Sequence, residues 1–320
     1  MASPKDTRAL VDGALMAGMT AMLGLLGMFI PPFFLVIGIL MPLPLAVLVV
    51  RRDLKIAVLS LVVTGLLMMM LYPDPLQVLV MFIQFGPLGL VLGFLYKNYV
   101  SPGHALITAT LVSVIASILV ISLSVLVTGL NLEFIQAAIN ESLNKIFTMY
   151  QEAGYPVPTE QQEFMRTSLK TSILLLPAAY LIFAVFSTAL TYIVGAKVLK
   201  RLNYRVNKLP PFSQWRLPWY AIWGVILGLI FLLAGDNFNL PAVKIIGQNL
   251  LTIFGFAFFI IGVSVVAFYF KKLTFSKPFK TILLVLLILY ISIMYMAIIL
   301  LGLFDTILNL RRPMFKKNTE

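Results

Sequence analysis

The strongest constraint on this chain is a series of long apolar segments with almost no charge inside them. A helix of about 20 apolar residues crosses the core of a bilayer. Only helices and closed barrels satisfy their backbone hydrogen bonds in hydrocarbon, and these segments lack the two-residue alternation of barrel strands. They predict an all-α, polytopic membrane helical bundle with about nine transmembrane helices, at residues 9–29, 33–50, 55–72, 76–96, 104–129, 168–196, 218–235, 244–270 and 280–302.

Composition excludes a soluble protein and several kinds of site. Hydrophobic residues make up 61% of the 320-residue chain and charged residues 11%, against roughly 45–50% and about 25% in soluble domains. The chain has no cysteine, which excludes disulfides and thiolate ligands, and its one histidine, His104, leaves little for zinc. The net charge of +12 is explained by anionic headgroups. We therefore expect membrane lipids, and not nucleic acid, as partners.

Basic residues between the segments predict the orientation of the chain. Cytoplasmic loops of membrane proteins are enriched in Lys and Arg, and the strongest positive clusters lie at 51–55, 197–216 and 271–280. This pattern predicts a multi-pass protein of a bacterial plasma membrane with a cytoplasmic N-terminus. Nine crossings would place the basic tail after residue 310 outside, against the rule. Either the tail forms an interfacial helix on the outer face, or the predicted number of spans is one too many.

Residues 130–167 form the one long polar connection, which this orientation places outside. Apolar residues recur there at three- and four-residue steps, which predicts an amphipathic helix. A second helix is predicted from Thr159, with acidic residues in its first turn. The connection is either a lid over an outward-facing pocket or a helix that lies on the membrane surface.

Charged residues avoid the interiors of the predicted spans, and Asp12 and Asp305 are read as interfacial residues near span ends. Ionisable groups inside membranes mark ion paths and proton relays, so ion-coupled transport is disfavoured. Among neutral residues Gln84 stands out, because a buried primary amide needs several partners. Polarity and predicted sidedness select four candidate ligand-binding residues: Asp74, Gln77, Gln84 and Asn131.

Motifs for catalysis or nucleotide binding are missing from the sequence. It contains no HExxH, GxSxG or Walker A pattern and no close pair of carboxylates within a span. We therefore expect no enzymatic activity, no cofactor and no metal. Active transport would need energy from another subunit.

Small residues recur at three- and four-residue steps in the first segment. On a helix, residues four apart lie one above the other, so Gly13, Ala17 and Ala21 form one stripe and Ala14 and Gly18 the adjacent one. Such residues let membrane helices approach closely. The stripes face either another helix of the same chain or a separate subunit, and all five residues are candidates for subunit docking.

The first six segments resemble the substrate-binding S-component of energy-coupling-factor (ECF) transporters. The shared features are six helices, the Ala-xxx-Ala pattern of Ala17 and Ala21, a proline-rich entry to the second segment and a long outer connection before the sixth. The resemblance implies that Ala17 and Ala21 contact a transmembrane coupling subunit, that separate ATPases supply energy, and that a small molecule binds in a pocket open to the outside. It makes residues 1–200 an S-component-like domain and leaves 201–320 as a three-helix extension.

The whole chain is also similar to the YybS-like family of uncharacterised bacterial membrane proteins, including the ending Gly302-Leu303-Phe304-Asp305 followed by Arg311-Arg312. That family implies no activity. The leading hypothesis is a small-molecule-binding, S-component-like subunit of a transport system. The alternative is a non-transporting scaffold that recruits partners through the basic segment Lys197 to Arg216.

Overall fold

A computed structural model describes residues 4–129, 132–207 and 209–311, and every regular element in these ranges is a helix. The helices are α1 (Pro4–Phe29), α2 (Phe34–Leu40), α3 (Pro42–Arg51), α4 (Leu54–Leu71), α5 (Pro75–Lys97), α6 (Pro102–Thr128), α7 (Leu132–Glu152), α8 (Thr159–Leu174), α9 (Leu176–Arg201), α10 (Ile222–Asn237), α11 (Pro241–Lys272), α12 (Lys277–Leu289) and α13 (Tyr295–Leu308).

Eight helical segments in the described ranges are long and apolar enough to cross a membrane. They are Thr7–Phe29, Pro31–Arg51, Leu54–Leu71, Pro75–Lys97, Pro102–Thr128, Leu176–Arg201, Trp219–Asn237 and Pro241–Lys272. They confirm the predicted all-α, polytopic membrane bundle. The second segment is irregular, as its prolines predict: a 3-10 turn at Pro31–Phe33 leads into α2, and α3 begins anew at Pro42. The membrane location is therefore multi-pass.

The predicted ninth span, 280–302, is wrong as a single crossing helix. The chain breaks at residues 290–294 into α12 and α13, of 13 and 14 residues. At 1.5 Å per residue each helix is about 20 Å long, which is shorter than the hydrocarbon core of about 30 Å. No proline or glycine marks the break, so apolar sequence continues from α12 through the break into α13.

The first structural unit comprises the residues up to 142 together with 180–209, and α3 lies at its core. All eight residues Pro42–Val49 are buried. A Cβ atom on Gly89 of α5 would lie 2.6 Å from the Pro42 carbonyl oxygen, and one on Gly93 would lie 2.7 Å from that of Ala46. These two positions therefore require glycine, and they let the backbones of α3 and α5 touch.

The second unit comprises residues 143–179 and those from 210 onward. Residues 143–179 thus group with the C-terminal helices in this division. The helix predicted from Thr159 is α8, and it begins there. It pairs with α7, because Arg166 donates to the Asn144 side chain and its guanidinium lies 5.5 Å from the centre of the Phe147 ring.

Helices α10 and α11 of the second unit pack against each other in antiparallel fashion through glycine. A Cβ on Gly235 would lie 2.5 Å from the backbone nitrogen of Lys244, and one on Gly247 would lie 2.5 Å from that of Leu232. This contact is a small-residue interface of the kind that the sequence suggested for the first helix only.

Asn249 of α11 bridges a break between α8 and α9. In a continuous helix the backbone N–H of Ala178 would donate to the carbonyl of Leu174, four residues earlier. Here that N–H donates to the Asn249 Oδ1 atom over 2.9 Å, and Asn249 Nδ2 donates to the Leu174 carbonyl over 2.8 Å. The side-chain amide is thus inserted into the hydrogen-bond ladder and satisfies both groups, next to Pro177, which has no N–H to offer.

Candidate functional site

Two of the predicted ligand-binding residues, Asp74 and Gln77, are exposed at the start of α5. The Asp74 carboxylate accepts from the backbone N–H groups of Leu76 and Gln77, which caps the helix. The Gln77 Oε1 atom accepts from the Tyr72 hydroxyl over 2.7 Å. These contacts are local and stabilise the turn. Asn131, another of the four, lies outside the described residues.

Gln84 lies in α5 as well, seven residues and about 10 Å beyond Gln77, and its side chain is half-buried. Its Nε2 atom is 3.1 Å from the Ser117 hydroxyl of α6, and its Oε1 atom accepts from the Tyr180 hydroxyl of α9 over 3.3 Å. Gln84 therefore links three helices of the first unit. The structure does not bring Asp74 or Gln77 into these contacts.

Two more hydroxyl groups extend this arrangement between α6 and α9. The Ser113 and Thr188 hydroxyls are 2.8 Å apart, and Ser117 donates to the Ser113 carbonyl over 2.7 Å. We call the five residues Gln84, Ser113, Ser117, Tyr180 and Thr188 the Gln84 cluster. Beside Thr188 in the sequence, the buried Ser187 hydroxyl has no hydrogen-bond partner.

The chemistry of the Gln84 cluster is neutral hydrogen bonding. Its members are an amide and four hydroxyls, all within segments that cross the membrane. A primary amide has two N–H donors and each hydroxyl has two lone pairs, so these contacts do not use the full hydrogen-bonding capacity of the cluster. An ion would lack a charged partner here, and burying an isolated charge is costly. The arrangement suits an uncharged polar ligand and not a proton relay.

Helix α1 presents its two small-residue stripes to different surroundings. Gly13, Ala17 and Ala21 are buried and their stripe packs on α4, where the Ser60 hydroxyl donates to the Gly13 carbonyl and the Thr64 hydroxyl to the Ala17 carbonyl. Ala14 and Gly18 are exposed, and a Cβ on Gly18 would meet no atom within 4 Å. The first stripe therefore has its partner within the same chain.

An apolar groove of about 370 Å³ lies between α1 and α4, beside the exposed stripe. Its lining includes the small residues Gly18 and Ala21 and the larger residues Leu25, Leu67 and Leu71. It has no polar lining residue. The groove therefore fits an acyl chain or the side chains of another membrane helix.

The sequence reading missed a buried ion pair in the second unit. Asp305, expected at the interface, and Arg311 have side chains only 2% and 1% exposed, and their closest N–O distance is 2.6 Å. Arg311 also donates to the carbonyls of Ser213 (2.8 Å) and Trp215 (2.6 Å) and to the Ser264 hydroxyl (2.9 Å). We call these five residues the C-terminal clasp.

The sequence contains a signal for Asn249, but the roles of Asp305 and Arg311 depend on partners that lie far away in the sequence. Asn249, like Gln84, is a primary amide within an apolar segment, and the same reasoning selects it. Asp305 and Arg311 are six residues apart, but Ser213 and Ser264 are too distant in the sequence to be associated with them. Among the described residues no group of three or more His, Cys, Asp or Glu side chains could hold a metal ion.

Comparison with known proteins places the chain in a family of predicted membrane proteins. Residues 18–306 match the family described as "Predicted membrane protein (DUF2232)". The chain is 25% identical over 311 residues to the Bacillus subtilis (strain 168) protein titled "Uncharacterized protein YybS", an alignment that covers 96% of this chain and 98% of that relative. No solved structure matches the chain. The resemblance to S-components therefore gains no support from these comparisons.

Proposed function

The chain belongs to the DUF2232 family of predicted membrane proteins, and on that premise we propose that it is a small-molecule-binding subunit of a transport system energised by a separate ATPase. The observation that carries the proposal is the Gln84 cluster. Neutral polar groups from three membrane helices converge there, with hydrogen-bonding capacity left over. A site of this composition favours an uncharged polar ligand.

The distribution of charge supports dependence on another subunit. In the described spans of the first unit, the Asp, Glu, Lys and Arg side chains lie toward the helix ends. Asp12 is an example, paired with Arg51 and Arg52 at 3.2 and 2.7 Å. Coupling to a proton normally uses a carboxylate inside the membrane. The proposal therefore assigns the energy source to a partner ATPase and a coupling membrane subunit.

The exposed stripe of α1 is the contact that we propose for the coupling subunit. Gly13, Ala17 and Ala21 are already packed on α4, so Ala14 and Gly18, together with the groove beside them, carry this proposal. Small side chains there would let a partner helix approach the α1 backbone closely. Of the five predicted docking residues, the three on the first stripe thus pack inside the chain, and the proposal rests on the two on the exposed stripe.

The experiment purifies the tagged protein gently from its native membrane and identifies the proteins and small molecules that accompany it by mass spectrometry. We expect a coupling membrane subunit with ATPases, and a small molecule that is retained by the wild type and lost from Gln84→Leu. Gln77→Leu is the matched control, because Gln77 lies on the same helix but outside the cluster, and it should retain the small molecule. Recovery of neither an ATPase module nor a Gln84-dependent small molecule would contradict the proposal.

A scaffold that recruits partners is the second candidate. The observation in its favour is that Lys197, Lys200, Arg201, Arg205 and Arg216 are all exposed. The same purification distinguishes the two functions. A scaffold should yield a reproducible set of other proteins, and substitution of these basic residues by Gln should release them while Gln84→Leu should not.

A further inference from the structure

The C-terminal helices α12 and α13 are each too short to cross the membrane, yet both are strongly apolar. They contain 13 and 14 residues, or about 20 Å of helix each, against a hydrocarbon core of about 30 Å. α12 begins five residues after the end of α11. The chain therefore leaves the membrane at the C-terminal end of α11 and, after the short connection, α12 enters the hydrocarbon core again from that side.

Helix α13 runs in the same direction as α11 and so brings the chain back to the end from which α12 started. Near the start of α13, Ile299 lies against Gly255 in the middle of α11. Beyond the end of α13, the Leu310 carbonyl accepts from the Tyr269 hydroxyl in the last turn of α11 over 2.7 Å. α12 and α13 together therefore form a hairpin whose open end lies at Lys271 and Lys272.

The C-terminal clasp holds the open end of this hairpin. Arg311 is hydrogen-bonded to Asp305 and to the backbone of the 213–215 turn, and Lys271 donates to the Ser213 hydroxyl over 3.1 Å. A crossing between α11 and Arg311 would separate Arg311 from its carbonyl acceptors at Ser213 and Trp215.

We infer that residues 277–308 form a re-entrant hairpin, which enters and leaves the membrane on the side where Lys271 and Lys272 lie. The basic tail after residue 310 then lies on that side as well. This inference resolves the conflict with the distribution of positive charge, because eight crossings, unlike nine, place the tail with the other basic connections.

The outer surface of the hairpin faces lipid. Ile282, Ile288 and Leu289 of α12 are each more than half exposed, and Ile293 at the turn is 78% exposed. Side chains of this kind lie in acyl chains when the hairpin is inserted, since the flanking lysines keep its open end at the headgroups. The partner of this surface is therefore the hydrocarbon of the bilayer, and not a further protein.

Single-cysteine labelling tests the inference without background, because the native chain contains no cysteine. Reporters are Thr274→Cys before the hairpin, Ile293→Cys at its turn, Asn318→Cys in the tail and Phe238→Cys between α10 and α11. Each full-length variant is treated with a membrane-impermeant maleimide in right-side-out and in inverted vesicles. Labelling after denaturation in detergent gives the maximum for each reporter, and size-exclusion chromatography checks the fold of each variant.

We expect the cysteines at 274 and 318 to be labelled from one side and that at 238 from the other. The cysteine at 293, although exposed on the protein, should be protected from both sides and react only after denaturation. Labelling of 318 from the same side as 238 would overturn the inference, because the hairpin would then cross the membrane. Ready labelling of 293 in intact vesicles would overturn the assignment of lipid as the partner of the turn.

Discussion

Gly262 of α11 and Gly302 of α13 are in backbone contact. A Cβ atom on Gly302 would lie 2.7 Å from the Gly262 nitrogen and 2.0 Å from the Phe258 carbonyl oxygen, and one on Gly262 would lie 1.9 Å from the Ile298 carbonyl oxygen. No side chain fits at either position. The contact fixes α13 on α11 and thereby fixes the direction in which the chain returns.

Gly302→Ala is expected to destabilise the second unit. The added methyl group meets backbone and cannot be relieved by a side-chain rotation, so we expect a loss of about 3 kcal/mol in the free energy of unfolding, measured by SDS titration in mixed micelles. Gly255→Ala is the matched control, because the nearest atom to its added Cβ is 3.9 Å away. Equal effects of the two changes would contradict the backbone contact.

Arg311→Met is expected to cost about 3–5 kcal/mol, because it leaves the Asp305 carboxylate buried and unpaired. The change also removes the donors to the carbonyls of Ser213 and Trp215. The comparison is Asp236→Asn, which removes an ion pair with Lys244 whose side chains are 51% and 42% exposed. That change should cost at most about 1 kcal/mol in the same titration. A cost for Arg311→Met no larger than that of Asp236→Asn would show that the clasp does not stabilise the fold.

Asn249→Val is expected to weaken the junction between α8 and α9. Without the amide, the Leu174 carbonyl and the Ala178 N–H lose their partners, at about 1–3 kcal/mol for each group left unsatisfied. Hydrogen exchange at Ala178 should accelerate in parallel. Thr252→Val on the same helix is the control, since its hydroxyl bonds to the Gln248 carbonyl of its own helix. Retained protection at Ala178 in Asn249→Val would contradict the bridging role.

Ala17→Leu should affect the stability of the protein, whereas Gly18→Leu should affect only the binding of a partner. Ala17 is fully buried against α4, so a leucine there should lower stability by about 1–3 kcal/mol. Gly18 is exposed, and leucine at that position should leave the isolated protein as stable as the wild type. If a coupling subunit docks on the exposed stripe, Gly18→Leu should instead reduce the amount that copurifies. An unchanged yield of partner would remove Gly18 from the docking surface.

The sequence predicted those features that depend on composition along one segment. The first eight spans are confirmed with bounds that differ by a few residues at most ends, and the proline-rich second span is irregular as expected. The sixth span differs most, because the polar helix α8 and the break at Leu175 precede it. The sequence predicts that Gln84, as a buried amide, needs partners, and the structure provides Ser117 and Tyr180.

The features that could not be predicted depend on residues far apart in the sequence. The break between α12 and α13 lies in continuous apolar sequence, so the turn back is revealed by the packing of α13 on α11, as at Gly302, and not by the sequence. Asp305 resembles any acidic residue at a span end until Arg311 and the 213–215 turn are seen around it. Similarly, the small residues of α1 indicated close packing, but not that α4 provides the partner for the first stripe.

The bridge made by Asn249 has a consequence for the order in which the protein is built. Leu174 precedes Asn249 by 75 residues, so the ribosome completes α9 and all of α10 before the amide that closes the junction is synthesised. Until then the Leu174 carbonyl and the Ala178 N–H lack the side-chain amide that bridges them in the folded protein. The seven-span intermediate of biogenesis is thus unfinished at this point, and the arrival of α11 completes a helix junction that was translated long before it.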